Sequence, residues 1–231
     1  MKLFVTGGAG FIGSVFTTMA LDGALDLPEL EAVTVYDALT YAGTLTNLTQ
    51  CASDSRFSFI HGDICDEPTL HEAMRGHDAV IHFAAESHVD RSINGATTFA
   101  HTNVVGTAAV MQAAHDVGAV RIVHVSTDEI YGSIPLGSWP ETDPLLPTSP
   151  YSASKAGSDL VAQAFFRSFG LPVVITRCSN NYGPHQFPEK LIPLFVTNLM
   201  EGKKLPVYGD GSACRDWPVS YTHLRAQRLG M

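Results

Sequence analysis

The amino-acid sequence predicts an α/β fold: a doubly wound parallel sheet followed by a smaller, incomplete C-terminal substrate-binding region. Three observations carry this expectation. Short apolar runs alternate with helical stretches over residues 1–177, a glycine-rich turn joins the first run to the first helix, and an aspartate closes the second run. Strands buried on both faces read as continuous Val/Ile runs, and their alternation with helices implies right-handed crossovers in a parallel sheet.

The elements follow in order. Lys2–Thr6 is the first strand and Phe11–Leu21 the first helix; Ala32–Tyr36 and Phe57–Ile60 are strands two and three. Thr69–Met74 is a short helix, Ala79–Phe83 a fourth strand, and Thr97–Val117 one long helix rich in Ala and Val. Arg121–Ser126 is a fifth strand. The proline-rich stretch Ile134–Ser149 is long enough to suggest a functional loop. Pro150–Phe169 is a second long helix, Pro172–Arg177 a sixth strand, and Phe187–Met200 contains a last helix.

Composition narrows the function classes. The 231 residues carry 14 Lys plus Arg against 23 Asp plus Glu, a net charge of −9. Such an acidic chain lacks the clustered cations that bind a nucleic-acid backbone, so no nucleic-acid partner is expected. No apolar run reaches the roughly 18 residues of a membrane span, and no export signal precedes the first strand, so the expected compartment is the cytoplasm. Cys51, Cys65, Cys178 and Cys214 form no CxxC pair and read as reduced thiols, and the ten histidines show no ligand spacing, so no metal site is expected.

Two constellations carry chemistry. In TGGAGFIG, Gly7 permits a tight turn, Gly10 lets a pyrophosphate approach the backbone, and Gly13 lets the helix pack closely; the helix N-terminus then faces the anion. Asp37 is placed to bind ribose hydroxyls, and no Lys or Arg between it and Gln50 would welcome a 2′-phosphate, which favours NAD over NADP. The second constellation is Tyr151 with Lys155, four apart on one helix face, where a nearby ammonium and the positive ring of the cofactor favour a phenolate base. Ser126 and Thr127 end the fifth strand, at the sheet edge where ligands bind, so Thr127 and Tyr151 can meet over one substrate hydroxyl. Asp128 and Glu129 follow directly. They read either as a cap and first-turn acid of the next helix, or as an acid–base pair of the kind that water elimination needs.

At these residues the sequence resembles the extended short-chain dehydrogenase/reductases of Rossmann fold and, within them, the dTDP-glucose 4,6-dehydratase family. The resemblance rests on Thr6–Gly13, LTYAG at Leu39–Gly43, GDICD at Gly62–Asp66, HFAAESHVDRSI at His82–Ile93, TNVVGT at Thr102–Thr107, STDEIYG at Ser126–Gly132, YSASKAGSD at Tyr151–Asp159, Arg177–Pro193 and Leu205–Trp217. It implies NAD as cofactor and dTDP-glucose as substrate. Thr127, Tyr151 and Lys155 would oxidise sugar carbon 4, Glu129 would take the carbon 5 proton, and Asp128 would protonate the leaving hydroxyl of carbon 6. It places Phe11, Ile12, Asp37, Asp63, Ile64, Ala84, Ala85, Thr102 and Asn181 against the cofactor. Ser87, Asn180, Glu189, Lys190, Leu191, Pro206, Val207, Tyr208 and Arg215 would face the nucleotide sugar, and two chains would pair through the helices at Thr97–Val117 and Tyr151. Related UDP-, CDP- or GDP-sugar dehydratases or epimerases, and an NAD-binding module without turnover, are the alternatives. His82 and His88 read as structural.

Three departures stand out: Ala38 replaces a basic residue usual after Asp37, His185 replaces a usual tyrosine, and Val219–Met231 lacks the family pattern and reads as foreign sequence joined at a junction. The expected organisation is an NAD-binding domain at 1–177, a partial nucleotide-sugar region at 178–217, and a non-family tail at 218–231.

Overall fold

The computed structural model of the chain describes residues 1–25, 27, 29–134, 136–207, 209–212 and 214–227; of 223 and 225–227 only the backbone is described. Six strands form one parallel sheet in the order β3-β2-β1-β4-β5-β6. They are β1 (Lys2–Thr6), β2 (Ala32–Asp37), β3 (Phe57–His61), β4 (Ala79–His82), β5 (Arg121–Thr127) and β6 (Val173–Cys178). The order reverses between β1 and β4, so the sheet is doubly wound, as expected from the alternation of apolar runs and helices.

Alternate residues of each strand feed two cores. Leu3, Val5, Val33, Val35, Ile81 and Val123 face α1 (Phe11–Leu21), burying Phe16 and Ala20 of that helix. Phe4, Tyr36, Val80 and Ile122 face the opposite way, onto Leu70 and Met74 of α2 (Glu67–Met74), Val110 and Met111 of α5 (Gly106–Asp116), and Ala162 of α6 (Pro150–Phe169). A one-residue slip of β1 would exchange the two sets, so the register is strongly specified. Among the described residues no helix is long and apolar enough to cross a membrane.

Helix α6 is set by local chemistry. Ser149 and Ser152 form a reciprocal capping box, Pro150 occupies the first turn, and Gly170 ends the helix at φ +70°. The described residues of the stretch 132–149 form no regular element, but they are tethered: Trp139 stacks on Tyr131 at 5.8 Å, and Arg177 reaches both the Tyr131 hydroxyl and the Glu141 carbonyl.

The expected single helix over Thr97–Val117 is in fact α4 (Ala96–Ala100), a π-helical turn at His101–Val105, and α5. The extra residue of the π turn accompanies Asn103, whose buried side chain accepts from Glu86 N at 2.8 Å, donates to Glu86 O at 2.9 Å and donates to Ser154 Oγ at 2.8 Å. Helix α3 (Val89–Asn94) is an addition to the expected elements, capped by the His88 ring. Helix α7 begins at Leu191 and not Phe187 (Leu191–Met200), because Pro193 is tolerated only in a first turn. At the tail, Val219 bridges Tyr182, and α8 (Ser220–Gln227) buries Leu224 against the α1 face of the sheet.

Asn103→Ala leaves the Glu86 N–H and carbonyl without their partner. The expected loss is about 2–3 kcal/mol of stability, checked by urea unfolding as a lower midpoint at unchanged slope.

Candidate active site

The loops after β1 and β4 leave in opposite directions, and a crevice of about 490 Å³ opens over the carboxyl ends of the strands. One end is the glycine turn. Gly7 sits at φ +69°, and a Cβ there would lie 2.5 Å from Ala84 N; a Cβ on Gly13 would collide with the Gly7 carbonyl. Helix α1 has no side-chain cap and no acid in its first turn, so its amides open into the crevice. Asp37 holds this end together: Oδ2 accepts from Ala9 N at 2.9 Å and Oδ1 from Leu39 N at 2.8 Å. Burial pushes its carboxyl upward against these bonds. Asp63, Ile64, Ala84, Ala85 and Thr102 continue the wall, with Gly10, Phe11 and Ile12.

The other end lies over β5 and β6. Thr127 ends β5 and caps a short 3₁₀ turn at Asp128–Tyr131, accepting from Glu129 N at 3.3 Å. The capping role therefore belongs to Thr127, which leaves both carboxylates free to line the crevice. Burial raises the Asp128 carboxyl, whereas Thr127 and the Arg215 charge oppose the rise. Burial and then the Asp128 charge raise Glu129, against Lys190 and Arg215. The first turn of α6 brings in Tyr151, with Lys155 one turn on, and the Thr127 hydroxyl lies against the phenol.

The expected ease of ionising the phenol rests on the positive ring of the cofactor as well as on Lys155. Burial and then the Glu129 charge push Tyr151 up, and the Lys155 ammonium donates to the Val125 carbonyl at 2.9 Å. Burial brings Lys155 itself down to about 8. Positive charge brought into the crevice is needed to lower the phenol again.

Beneath this end lies a buried polar layer. His82 sits between Thr6 Oγ1 at 2.7 Å and Thr107 Oγ1 at 3.0 Å, which fits its structural reading. Burial takes it well below the usual histidine range and takes His124 down to about 4. Asp159, fully buried, pairs with Arg177 Nε at 2.9 Å.

Asn180, Asn181, Ser87, Glu189, Lys190 and Leu191 complete the wall. Asn181 Oδ1 is buried without a partner, and Lys190 Nζ donates to Ser87 O at 2.8 Å. His88 lines the crevice within 3.7 Å of Glu189. Ala38 lies in the wall, while His185 Nδ1 approaches Ser14 Oγ at 3.1 Å and ties its loop to α1. Pro206, Val207 and Arg215 lie outside the wall, on an exposed irregular segment where Arg215 donates to its neighbour Cys214 O. Tyr208 lies outside the described residues. Sequence reasoning missed Glu86, Cys178 and Trp217 as lining residues. Cys178 at the end of β6 had a usable signal, since strand ends are where this kind of sheet binds ligands.

Comparison with known proteins agrees with this geometry. A family model described as GDP-mannose 4,6 dehydratase matches residues 4–231. A dTDP-glucose 4,6-dehydratase of Actinoplanes sp. is 55% identical over 234 residues, covering 100% of this chain and 72% of that protein. A second, of Streptomyces niveus, is 52% identical over 229 residues, with 99% and 68% covered. The crystal structure of DesIV, a dTDP-glucose 4,6-dehydratase from Streptomyces venezuelae with NAD and TYD bound, superposes with a TM-score of 0.98 at 58% identity, covering 99% of this chain and 71% of that one. The chain thus spans between 68% and 72% of the length of these three relatives, and it belongs to the nucleotide-sugar 4,6-dehydratase family.

Proposed function

We propose that this chain binds NAD in the crevice and converts dTDP-glucose to dTDP-4-keto-6-deoxy-glucose. One observation carries the reading: two desolvated, adjacent carboxylates, Asp128 and Glu129, line the same crevice as Tyr151 and Lys155. An oxidation at carbon 4 alone needs only the tyrosine and lysine, whereas removal of water across carbons 5 and 6 also needs an acid and a base.

The residues fit the cofactor. The uncapped start of α1 suits a pyrophosphate, Asp37 suits ribose hydroxyls, and the partnerless Asn181 Oδ1 suits a donor such as a carboxamide. Gly7, Gly10, Phe11, Ile12, Gly13, Asp63, Ile64, Ala84, Ala85 and Thr102 would complete its contacts, with Tyr151 and Lys155. When bound, NAD supplies the hydride acceptor for carbon 4 and the donor for carbon 6.

The chain's own groups do the rest. Tyr151, aided by Thr127, takes the hydroxyl proton of carbon 4. The ketone formed there acidifies the carbon 5 proton, which Glu129 removes and gives back to carbon 5 when carbon 6 is reduced; its raised carboxyl makes it a stronger base. Asp128, raised by burial, is placed to give a proton to the leaving hydroxyl of carbon 6. Ser87, Asn180, Glu189, Lys190 and Leu191 face the nucleotide sugar from the wall. Pro206, Val207, Tyr208 and Arg215 are proposed to join them, an assignment supported for Arg215 by its charge being felt at both carboxylates. The description of the matching family model favours one second reading, the same chemistry on a GDP-hexose.

A homodimer through α6 is part of the proposal. Ala153, Leu160 and Ala164 recur at i, i+7 and i+11, all exposed, and Val105 adds apolar surface on the neighbouring π turn. A cytoplasmic site is supported by four unpaired thiols.

The deciding assay incubates the chain with NAD and either dTDP-glucose or GDP-mannose and reads the alkali-induced absorbance of the keto-sugar. Product from dTDP-glucose is expected; product from GDP-mannose alone selects the second reading, and bound NAD with no product from either refutes both. Glu129→Gln is expected to cut product formation by about 10²–10⁴-fold while carbon 4 oxidation persists, read as reduced-nicotinamide absorbance. Asp37→Ala is expected to lower the preference for NAD over NADP about tenfold, by titration of both nucleotides. Leu160→Glu is expected to halve the mass seen by light scattering.

A further inference from the structure

Three loops close the outer side of the crevice, and they meet in a cluster of which Phe187 and Glu189 line it and Tyr41 and Arg91 do not. Tyr41, in the loop after β2, lies beneath the Arg91 guanidinium, whose carbon stands 3.8 Å from the ring centroid. Arg91, on α3 after β4, extends Nη2 to Glu189 Oε2 at 3.1 Å, in the loop after β6. The Tyr41 ring also meets Phe187 edge-on, with centroids 5.6 Å apart and planes at 83°. Thr40, Ala42, His88, Asp90 and Glu189 face the crevice, whereas Tyr41 and Arg91 stand behind them.

The loops have no stronger tie to one another. Among the described residues, no backbone–backbone hydrogen bond joins the three; their bonds are local, as Gly43 N to Thr40 O and Lys190 N to Phe187 O, or run to other segments, as Thr44 N to Ala9 O and Tyr182 N to Pro218 O. Side chains alone hold them, with Lys190 Nζ on Ser87 O as a further link. Such contacts can part and re-form without unfolding any strand or helix. A guanidinium is suited to the task, since its plane stacks on a ring while its edge pairs with a carboxylate.

We propose that Arg91, stacked on Tyr41 and paired with Glu189, is the catch of a clasp that closes these loops over a bound dinucleotide and sets how fast it leaves. The proposal rests on the reading of the crevice as an NAD site. Because neither Tyr41 nor Arg91 lines the crevice, replacing them removes no lining side chain and tests closure itself.

The experiment loads the full chain with radiolabelled NAD and follows its release into excess unlabelled NAD. Tyr41→Ala and Arg91→Met are expected to speed release at least tenfold. Tyr41→Phe, which keeps the ring but loses the hydroxyl that bonds Glu189, and Arg91→Lys, which keeps the charge but loses the plane, are expected to fall between. Amide hydrogen exchange of the ligand-free chain is the second readout: residues 38–44 and 185–190 are expected to exchange faster in Tyr41→Ala, with the six strands unchanged. Equal release from all five proteins overturns the clasp and leaves the NAD reading standing. Release speeded as much by Tyr41→Phe as by Tyr41→Ala also overturns it. Failure of the unaltered chain to retain any NAD overturns the NAD reading and the clasp with it.

Discussion

The molecule depends on one constraint: β1 pairs in parallel with β2 on one side and β4 on the other. Parallel neighbours require a crossover after each strand, and right-handed crossovers on both sides of β1 send α1 to one face and the 83–120 connection to the other. The loops at the carboxyl ends of β1 and β4 therefore separate, and the crevice is the space they cannot fill. Its floor is tight because the two loops touch below it, where Gly7 leaves no room for a Cβ beside Ala84 N. Its rim is loose because nothing in the sheet determines how the outer loops meet.

The second consequence concerns α6. Apart from Ala156 and Ala162, the residues this helix buries are polar: Ser152, Ser154, Lys155, Ser158 and Asp159. Each of these finds a partner across the interface or within its own turn: Ser154 takes Asn103 Nδ2, Ser158 meets His124 Nε2, Asp159 takes Arg177, and Lys155 donates to Val125 O. Removing one member of such a layer leaves another buried and unpaired, which costs more than the bond itself contributes. The reacting end of the crevice is thus held rigid from underneath. The same low-dielectric setting raises Asp128, Glu129 and Tyr151 together and lowers Lys155.

What was legible in the sequence follows from what each residue is asked to do. The inner strands were legible because burial on both faces leaves a near-continuous apolar run, as in Leu3–Val5. The glycine turn was legible because a left-handed φ and a close backbone approach restrict the residue type at Gly7 and Gly13. The break at His101–Val105 was not, because the apolar spacing of Ala and Val runs through the π turn and the reason for it, Asn103 reaching Glu86, lies 17 residues away. The Tyr41, Arg91 and Glu189 cluster was invisible for the same reason: stacking and pairing between distant loops leave no period. For Pro206, Val207 and Arg215, resemblance spoke where neither periodicity nor the geometry of the wall does.

The net charge of −9 raises a question that the site answers in its own way, since a nucleotide ligand is an anion. Within the wall the cations are already engaged, Lys155 with Val125 O and Lys190 with Ser87 O near Glu189; Arg91 behind it pairs with Glu189, and Arg215 lies outside the wall. Little free side-chain charge remains to attract a phosphate from a distance. What remains is the uncapped start of α1, whose amides act strongly only within the first turn of the helix. An anion gains that interaction only once it is seated against the Gly7–Gly13 turn. A site built this way gains little from long-range steering and depends instead on enclosure, so the side-chain contacts that close its rim matter as much as the groups that touch the ligand.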